Sequence, residues 1–272
     1  MRRTVRRIFE KTVWRLGRNR LEELSQERQG NKKMRKTTYL VIDTETTIDG
    51  EAVDFGAILA DRHGNVIASA AVMVRENFEP AIRETKPLFH NEKGDEIWKK
   101  ANLSKRYAAY DRMVDDGRRN IASIAGINRW LAKALKYNPI LTAYNLNYDL
   151  GVMRKTGIDC DLFDKQFCLW HAAAHKYVKN KNFRQFILEN HHFNARTKAG
   201  NMTFKTNADV MAKFILQDQD LADEPHTAFE DAMYYELPIL KDIVKAKNKA
   251  DYMDAPAYAW QGVQVRDWFK PK

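Results

Sequence analysis

The stretch Tyr39-Leu40-Val41-Ile42-Asp43-Thr44-Glu45-Thr46-Thr47 joins an apolar run to two carboxylates that lie two residues apart. Four consecutive apolar residues predict a buried strand, and side chains two apart on a strand point to the same face. Asp43 and Glu45 would therefore project together from one edge of a sheet. Two anions aimed at one point need a cation, and oxygen ligands suit hard ions such as Mg²⁺ or Mn²⁺.

Two more strands are predicted immediately after this one. The three predicted strands cover about residues 38–46, 52–60 and 66–74. The turns between them contain Asp49-Gly50 and His63-Gly64-Asn65. Turns this short join antiparallel neighbours, whereas parallel neighbours need a crossover connection. The sequence therefore predicts an antiparallel meander, and a short buried strand follows later in the chain at 139–144.

The rest of the chain is predicted to be mainly helical. The helical patterns lie at about 121–136, 148–155, 166–178, 182–190, 207–216 and 228–247. Pro238 is expected to kink the last of these helices or to end its first part near Glu236. Residues 77–119 show no pattern that can be assigned. Strands followed by a mixture of helices and one more strand predict a mixed sheet with helices packed on its faces.

Asp149 follows the strand predicted at 139–144. Asn147 is a suitable helix N-cap, and it would put Asp149 in the first helical turn, where a carboxylate is favoured by the positive end of the helix. Asp149 thus has two interpretations from sequence. It is either a residue that only begins a helix or a third carboxylate that joins Asp43 and Glu45.

His226 and Asp231 stand at another predicted helix start. Thr227 and Glu230 match a capping box, which puts the first helical residue at Ala228 and leaves His226 in the preceding loop. From that loop the imidazole is free to lie over the point that Asp231 enters from the first turn. A surface or capping histidine is the alternative interpretation of His226.

Taken together, these motifs resemble the DEDDh family of 3′→5′ exonucleases. The resemblance rests on the run from Asp43 to Thr47, on Asn145 with Asp149, and on His226 with Asp231 followed by Ala232. The match covers roughly residues 37–247 in the family's order. The sequence departs from the family at Ile48, where glycine is usual, and at Tyr144, where a histidine is often found.

The resemblance implies a fold, an activity and a site. The fold would be α/β and ribonuclease H-like, with a mixed five-stranded sheet whose first three strands are antiparallel and which helices flank. Two Mg²⁺ or Mn²⁺ ions would be held by Asp43, Glu45, Asp149 and Asp231. His226 would act as general base, and the contacts to the terminal nucleotide would come from Thr46, Thr47 and Asn145.

The activity implied is hydrolysis of terminal phosphodiester bonds from the 3′ end of single-stranded DNA, which releases 5′-mononucleotides and suits replication or proofreading. An RNA-trimming exonuclease is the nearest alternative, because the metal site does not sense the sugar 2′-hydroxyl. A non-catalytic nucleic-acid-binding module of the same fold is a third. The full set of four carboxylates and one histidine argues against that third hypothesis.

Charge divides the chain into three predicted parts: a basic extension at 1–36, an exonuclease domain at 37–250 and a tail at 251–272. The net charge is +10, and residues 1–36 hold 13 of the 46 Lys and Arg residues but 4 of the 36 acidic ones. A basic amphipathic helix is predicted at 2–28. It would bind nucleic-acid phosphates, act as a mitochondrial transit peptide or membrane-surface anchor, or dock on a replication protein.

Cysteine content bears on location. Two cysteines, Cys160 and Cys168, are too few for a disulfide framework and indicate a reducing compartment. The sequence contains no apolar run long enough for a membrane span. We therefore expect a cytoplasmic protein of a bacterial or phage-infected cell. Zinc binding by Cys168, His171 and His175 is a weak alternative, because their spacing fits no standard structural zinc pattern.

Overall fold

The computed structural model describes residues 37–194 and 202–258. The basic helix predicted at 2–28 and most of the tail predicted at 251–272 lie outside the described residues. Among the described residues, none of the helices has both the length and the apolar character needed to cross a membrane.

A six-stranded mixed sheet forms the centre of the molecule. Its strands are β1 (Thr38–Thr46), β2 (Ala52–Asp61), β3 (Val66–Val74), β4 (Asn120–Ala122), β5 (Ile140–Ala143) and β6 (Gln166–Cys168). Their order across the sheet is β4-β3-β2-β1-β5-β6. The expected antiparallel meander of β1, β2 and β3 is confirmed, and β5 runs parallel to β1.

The expected count of five strands is wrong by one. The additional strand is β4, three residues that pair in parallel with the end of β3, so that Val74 faces Ala122. Its sequence was predicted to be the start of a helix at 121–136, because Ile121 fits the apolar stripe of that helix. Ile121 is in fact 40% exposed. The helix begins at Ile124 instead, and the Ser123 hydroxyl caps it by accepting the Gly126 N–H.

Ten α-helical segments surround the sheet among the described residues. They are α1 (Arg75–Phe78), α2 (Leu103–Asp115), α3 (Ile124–Leu135), α4 (Leu146–Thr156), α5 (Leu169–Tyr177), α6 (Lys181–Glu189), α7 (Ala208–Leu216), α8 (Ala228–Asp231), α9 (Leu237–Lys245) and α10 (Lys249–Met253). Two further predicted helix starts are corrected. Residues 166–168 form β6 rather than the start of α5, and α4 begins at Leu146 with Asn145, not Asn147, at the N-cap position.

Alternation along β1 separates two apolar cores. Tyr39 and Val41 face a core built with α5, α6, α7 and α9, whereas Leu40 and Ile42 face a core built with α3 and α4. All four side chains are fully buried. Because the alternation continues, Asp43 and Glu45 emerge on the same side as Tyr39 and Val41. This register positions both carboxylates beneath the segment that carries α8.

A π-helical turn, Ala232–Glu236, connects α8 to α9. Pro238 lies in the first turn of α9 and has no N–H to donate to the preceding turn, so the α-helical ladder is interrupted there. The helix predicted at 228–247 is therefore divided, but its first α-helical part ends at Asp231, five residues before the expected end near Glu236. π-turns often occur at functional sites, where they redirect side chains.

Candidate active site

The end of β1 supplies the first two carboxylates of the site. Asp43 and Glu45 are partly buried, while Thr44 and Thr46 between and beside them are almost fully buried. In the sheet Asp43 faces Gly56 of β2, and Glu45 faces Asp54. The predicted placement of both carboxylates on one face of the strand is therefore confirmed.

Asp149 reaches the same strand from the first turn of α4. It is 3% exposed, and its Oδ1 accepts a hydrogen bond of 2.8 Å from the Thr44 hydroxyl. Thr44 precedes Glu45, so this bond ties the helix start directly to the strand that carries Asp43 and Glu45. Of the two interpretations of Asp149 from sequence, the geometry favours the third carboxylate.

His226 and Asp231 come from the segment that begins α8. His226 lies in the preceding loop, as predicted, and its φ of 54° is in the left-handed region. The predicted capping box is wrong, because the Thr227 side chain makes no capping bond. The Asp231 carboxylate accepts the Thr227 N–H instead, at 3.0 Å. Glu230 is not available for capping because it pairs with Arg119.

A buried ion pair fixes α8 against the sheet. Arg119 donates to both oxygens of Asp54, at 2.9 and 3.1 Å, and both side chains are fully buried. The same guanidinium binds both oxygens of Glu230 on α8. Asp54 in turn accepts the Ala228 N–H at 3.0 Å and thereby caps the helix. The position of Asp231 thus depends on contacts that involve Arg119.

Gly56 allows α8 to approach this closely. A Cβ at position 56 would lie 2.3 Å from the Ala228 carbonyl oxygen and 2.5 Å from the Phe229 nitrogen. These are backbone atoms, which cannot move aside as a flexible side chain can. Any larger residue at 56 would push away the helix that carries Asp231.

The structure brings three of the predicted site residues within coordination range of a single ion. One ligand atom each of Glu45, His226 and Asp231 lies within 4.8 Å of the others. These residues come from two segments that are about 180 positions apart in the sequence. Among the described residues, this is the only group of at least three His, Cys, Asp or Glu side chains that meets the geometric condition for a metal site. The zinc alternative at Cys168, His171 and His175 does not meet it.

Burial and mutual repulsion raise the pKa values of the carboxyl groups in the site. Desolvation is the largest cause in each case, and it raises the pKa of Asp149 to about 7, of Glu45 to about 8 and of Asp231 to about 9. The pKa of Asp43 also lies well above its ordinary value, through desolvation and then the charges of four carboxylates. A cluster of this kind is electrostatically unfavourable without a counter-ion.

Glu236 is a carboxylate of the site that sequence reasoning missed. It is 2% exposed, its Oε1 accepts the Tyr144 N–H at 3.2 Å, and its Oε2 has no hydrogen-bond partner. On a regular α-helix, five residues would rotate Glu236 about 140° away from Asp231. The intervening π-turn inserts one residue, so the rotation is closer to that of four residues, about 40°. Pro238, two residues later, is the sequence signal that could have revealed it.

The three predicted substrate-contact residues occupy different environments. Thr46 and Thr47 are buried, and Thr47 closes the turn after β1 through its bonds with Glu51. The Thr46 hydroxyl lies 3.4 Å from the Tyr148 hydroxyl. Asn145 is exposed at the end of β5. Contact between these residues and a nucleotide stays a prediction.

The raised pKa values predict how the stability of the metal-free protein depends on pH. Unfolded carboxyl groups titrate near about 4, so between that pH and about 9 the native state binds more protons than the unfolded state. We therefore expect the free energy of unfolding in EDTA to fall between pH 7 and pH 9, by more than about 1 kcal/mol per pH unit. Urea unfolding across this pH range measures it.

Divalent ions should reverse this trend, because they bind the deprotonated carboxylates. Stabilisation by Mn²⁺ is expected to be larger at pH 8.5 than at pH 6. The control is the double variant Glu45→Gln/Asp231→Asn, in which the EDTA slope should become shallower. A stability in EDTA that stays constant or rises from pH 7 to pH 9 would contradict the arrangement of charges described above.

Comparison with known proteins gives no further guidance. No protein-family model matches the sequence, and no curated protein matches it.

Proposed function

We propose that this protein is a divalent-metal-dependent 3′→5′ exonuclease of the DEDDh type, with a ribonuclease H-like fold, that acts on single-stranded DNA. The proposal rests on one observation above all: Glu45, His226 and Asp231, which are distant in sequence, offer ligand atoms within 4.8 Å of one another. Asp43 and Asp149 border the same buried point, and their pKa values respond to the neighbouring charges and contacts.

The sheet is compatible with that fold. Its first three strands form an antiparallel meander, and β5 and β6 are added in parallel beyond β1. These five strands are the ones that the resemblance implies, and β4 is an addition at the opposite edge. The motif carboxylates stand where the central strand β1 ends and where helices α4 and α8 begin.

The residues present fit a hard divalent cation. Four carboxylates offer oxygen ligands, and Asp231 Oδ1 is buried with no hydrogen-bond partner. The pKa values of these carboxyl groups are raised first by desolvation and, for Asp43, Glu45 and Asp231, also by neighbouring negative charges, and a bound cation would offset both effects. Asp43, Glu45, Asp149 and Asp231 would hold Mg²⁺ or Mn²⁺, and two ions are the number that the resemblance implies. Bound metal would make the attacking water more acidic and stabilise negative charge on the phosphate oxygens.

His226 is suited to the proton transfer. Its pKa is lowered, first by desolvation and then by the Arg106 charge, so the imidazole is neutral and able to accept a proton at pH 7. In the proposed reaction, the oxygen of a water molecule attacks the terminal phosphodiester phosphorus while His226 takes a proton from that water. The bond from phosphorus to the 3′ oxygen of the penultimate nucleotide breaks. A 5′-mononucleotide leaves. The freed 3′ oxygen takes up a proton from solvent, so the shortened strand ends in a 3′-hydroxyl.

Matched 5′-labelled DNA and RNA oligonucleotides test the proposal. In Mg²⁺ we expect a ladder of products that shortens from the 3′ end of the DNA, with no products in EDTA and none from a strand with a 3′ block. A ladder from the RNA alone would assign the enzyme to the RNA-trimming alternative. Tight binding of either strand without any cleavage would identify a non-catalytic binding module.

Replacing His226 separates general-base catalysis from metal binding. His226→Ala is expected to lower turnover by about 100-fold or more, the usual contribution of a positioned base. Its affinity for Mn²⁺ should remain within a few-fold of wild type, because the four carboxylates are intact. Turnover and Mn²⁺ titration are measured on the same preparation. A collapse of Mn²⁺ affinity would show that His226 is a metal ligand, which its distance from Glu45 and Asp231 also permits.

A further inference from the structure

Residues 79–102, which have no assignable sequence pattern, bring an aromatic side chain against the site histidine. The Trp98 ring lies 4.8 Å from the His226 imidazole, centroid to centroid, with 55° between the ring planes. Trp98 follows α1 and the loop after it, more than 120 positions before His226 in the sequence. Sequence reasoning did not include Trp98 among the site residues.

Three side chains form what we call the Trp98 cluster: Phe89, Trp98 and Arg106. The Phe89 ring meets the Trp98 ring edge-on at 5.8 Å, and the Arg106 guanidinium lies over the Trp98 ring at 4.6 Å from its centroid. Arg106 also donates to the Phe89 carbonyl at 2.6 Å. The Trp98 ring is thus held by an aromatic edge and a cation in addition to its contact with His226.

The Trp98 cluster is attached to the strand that carries the first two carboxylates. The Phe89 N–H donates to the Thr46 carbonyl at 2.8 Å, and Thr47 pairs with the fully buried Leu88. The Asn91 N–H donates to the Trp98 carbonyl at 2.7 Å and closes the intervening loop. The position of Trp98 is therefore fixed relative to the end of β1, which contains Glu45.

His226 requires such support. Its φ of 54° is a conformation that residues other than glycine adopt at a cost, and surrounding contacts must maintain it. The Tyr110 hydroxyl donates to the His226 carbonyl at 3.5 Å, which holds the backbone weakly. The imidazole ring itself is in contact with the Trp98 ring.

We infer that Trp98 is a positioning residue, which holds the His226 imidazole against Glu45 and Asp231 in the orientation that accepts the proton. The inference rests on the proposed function for its catalytic meaning, but the ring contact exists independently of it. Trp98 would act through His226 and not on the nucleic acid. Stacking of the terminal base on Trp98 is the competing explanation.

A double-mutant cycle separates these two roles. Trp98→Leu is expected to lower kcat on the order of 10-fold, since an aromatic contact of this kind accounts for a factor of that size. KM should change less than twofold, and Trp98→Phe should recover most of the rate. In a His226→Ala background, Trp98→Leu should cause no further loss. Three outcomes would overturn the inference: an increase in KM above twofold, an equal loss of kcat with and without His226, or no loss of kcat at all.

The matched control is Trp130→Leu. Trp130 is a partly buried tryptophan of α3, and it packs on the core that α3 and α4 form against Leu40 and Ile42. It controls for the general effect of removing an indole, so its kcat should stay at the wild-type value at a temperature where the protein is folded. A loss in this variant as large as that in Trp98→Leu would overturn the inference.

NMR tests the contact without any substrate. In the wild-type protein, the ring protons of His226 should be shifted by the ring current of Trp98, and His226→Ala identifies their signals. Trp98→Phe should reduce the shift. Unshifted His226 signals in the wild type would overturn the inference even if Trp98→Leu fails to fold. If the wild type shows no nuclease activity but the shift is present, the proposed function fails and the positioning contact stands.

Discussion

Asp43→Ala is expected to reduce exonuclease activity to below a few per cent of wild type while the protein remains folded. Asp43 is the carboxylate on which the repulsion of the cluster converges: its pKa is raised by desolvation and then by the charges of Glu236, Asp149, Glu45 and Asp231. If these residues hold the metal, losing one of them removes several kcal/mol of transition-state stabilisation, which corresponds to a rate loss of about 1,000-fold. A labelled single-stranded oligonucleotide in Mg²⁺ measures it.

Asp43→Ala should not lower the stability of the metal-free protein, although it lowers activity. Removing Asp43 relieves repulsion in the metal-free protein, so the melting temperature in EDTA should be equal to or above that of wild type, and the increase caused by Mn²⁺ should disappear. Asp49→Ala is the control, because Asp49 is an exposed acid in the turn after β1 and should keep full activity. Activity of Asp43→Ala above about 5% of wild type, where metal catalysis should leave far less, would contradict the assignment.

Asp231→Ala would test the same metal-ligand assignment, but it would change more than one contact. The Asp231 carboxylate also accepts the Thr227 N–H, so alanine would remove a helix-capping contact together with a proposed ligand. Asp231→Asn keeps an oxygen that can accept this bond. The asparagine variant is therefore the appropriate partner to Asp43→Ala.

Arg119→Leu is expected to cause the largest loss of stability, about 3–5 kcal/mol in the free energy of unfolding. The substitution would leave Asp54, which is fully buried, without the guanidinium that binds both of its oxygens. Glu230 would lose its partner at the same time. Because Asp54 and Glu230 anchor α8, we also expect Asp231 to be displaced. Urea unfolding at pH 7 measures the effect.

The neighbouring arginine provides a matched control. The Arg118 side chain is 41% exposed and pairs with Asp116 at 3.4 Å on the surface. Exposed pairs of this kind contribute about 0–1 kcal/mol, so Arg118→Leu should change stability little. A similar small effect for Arg119→Leu, below about 1 kcal/mol, would show that the Asp54–Arg119–Glu230 contacts do not anchor α8.

The sequence was most informative where local periodicity decides structure. The apolar run of β1 and the short glycine-containing turns that follow β1 and β2 predicted the meander, and Gly50 and Gly64 have the positive φ values that such turns need. The two shortest strands, β4 and β6, were not predicted, because three residues are too few to show an alternating pattern. Both were assigned to the helices that follow them. Their strand pairing depends on neighbours that are distant in sequence.

The candidate site was predictable only in part. Asp43, Glu45, Asp149, His226 and Asp231 belong to recognisable local motifs. The structure brings ligand atoms of Glu45, His226 and Asp231 within 4.8 Å of one another. Asp43 lies close enough to Glu45, Asp149 and Asp231 for their charges to raise its pKa. Arg119, Glu236 and Trp98 do not belong to such motifs. Arg119 lies in a polar stretch of the sequence that is typical of the protein surface. The position of Glu236 depends on a π-turn, and the position of Trp98 depends on a loop without periodicity. Each acquires its role through contacts between segments far apart in the chain.

The most direct test of the exonuclease assignment is to follow the first product released from a single-stranded DNA whose 3′-terminal base occurs nowhere else in the strand, in ¹⁸O-labelled water with Mg²⁺. The proposed reaction predicts that the first product is the 5′-mononucleotide of that base, with one ¹⁸O atom in its phosphate, and that no product forms in EDTA. A first product from the 5′ end, a 3′-phosphorylated nucleotide, or undiminished release in EDTA would contradict it.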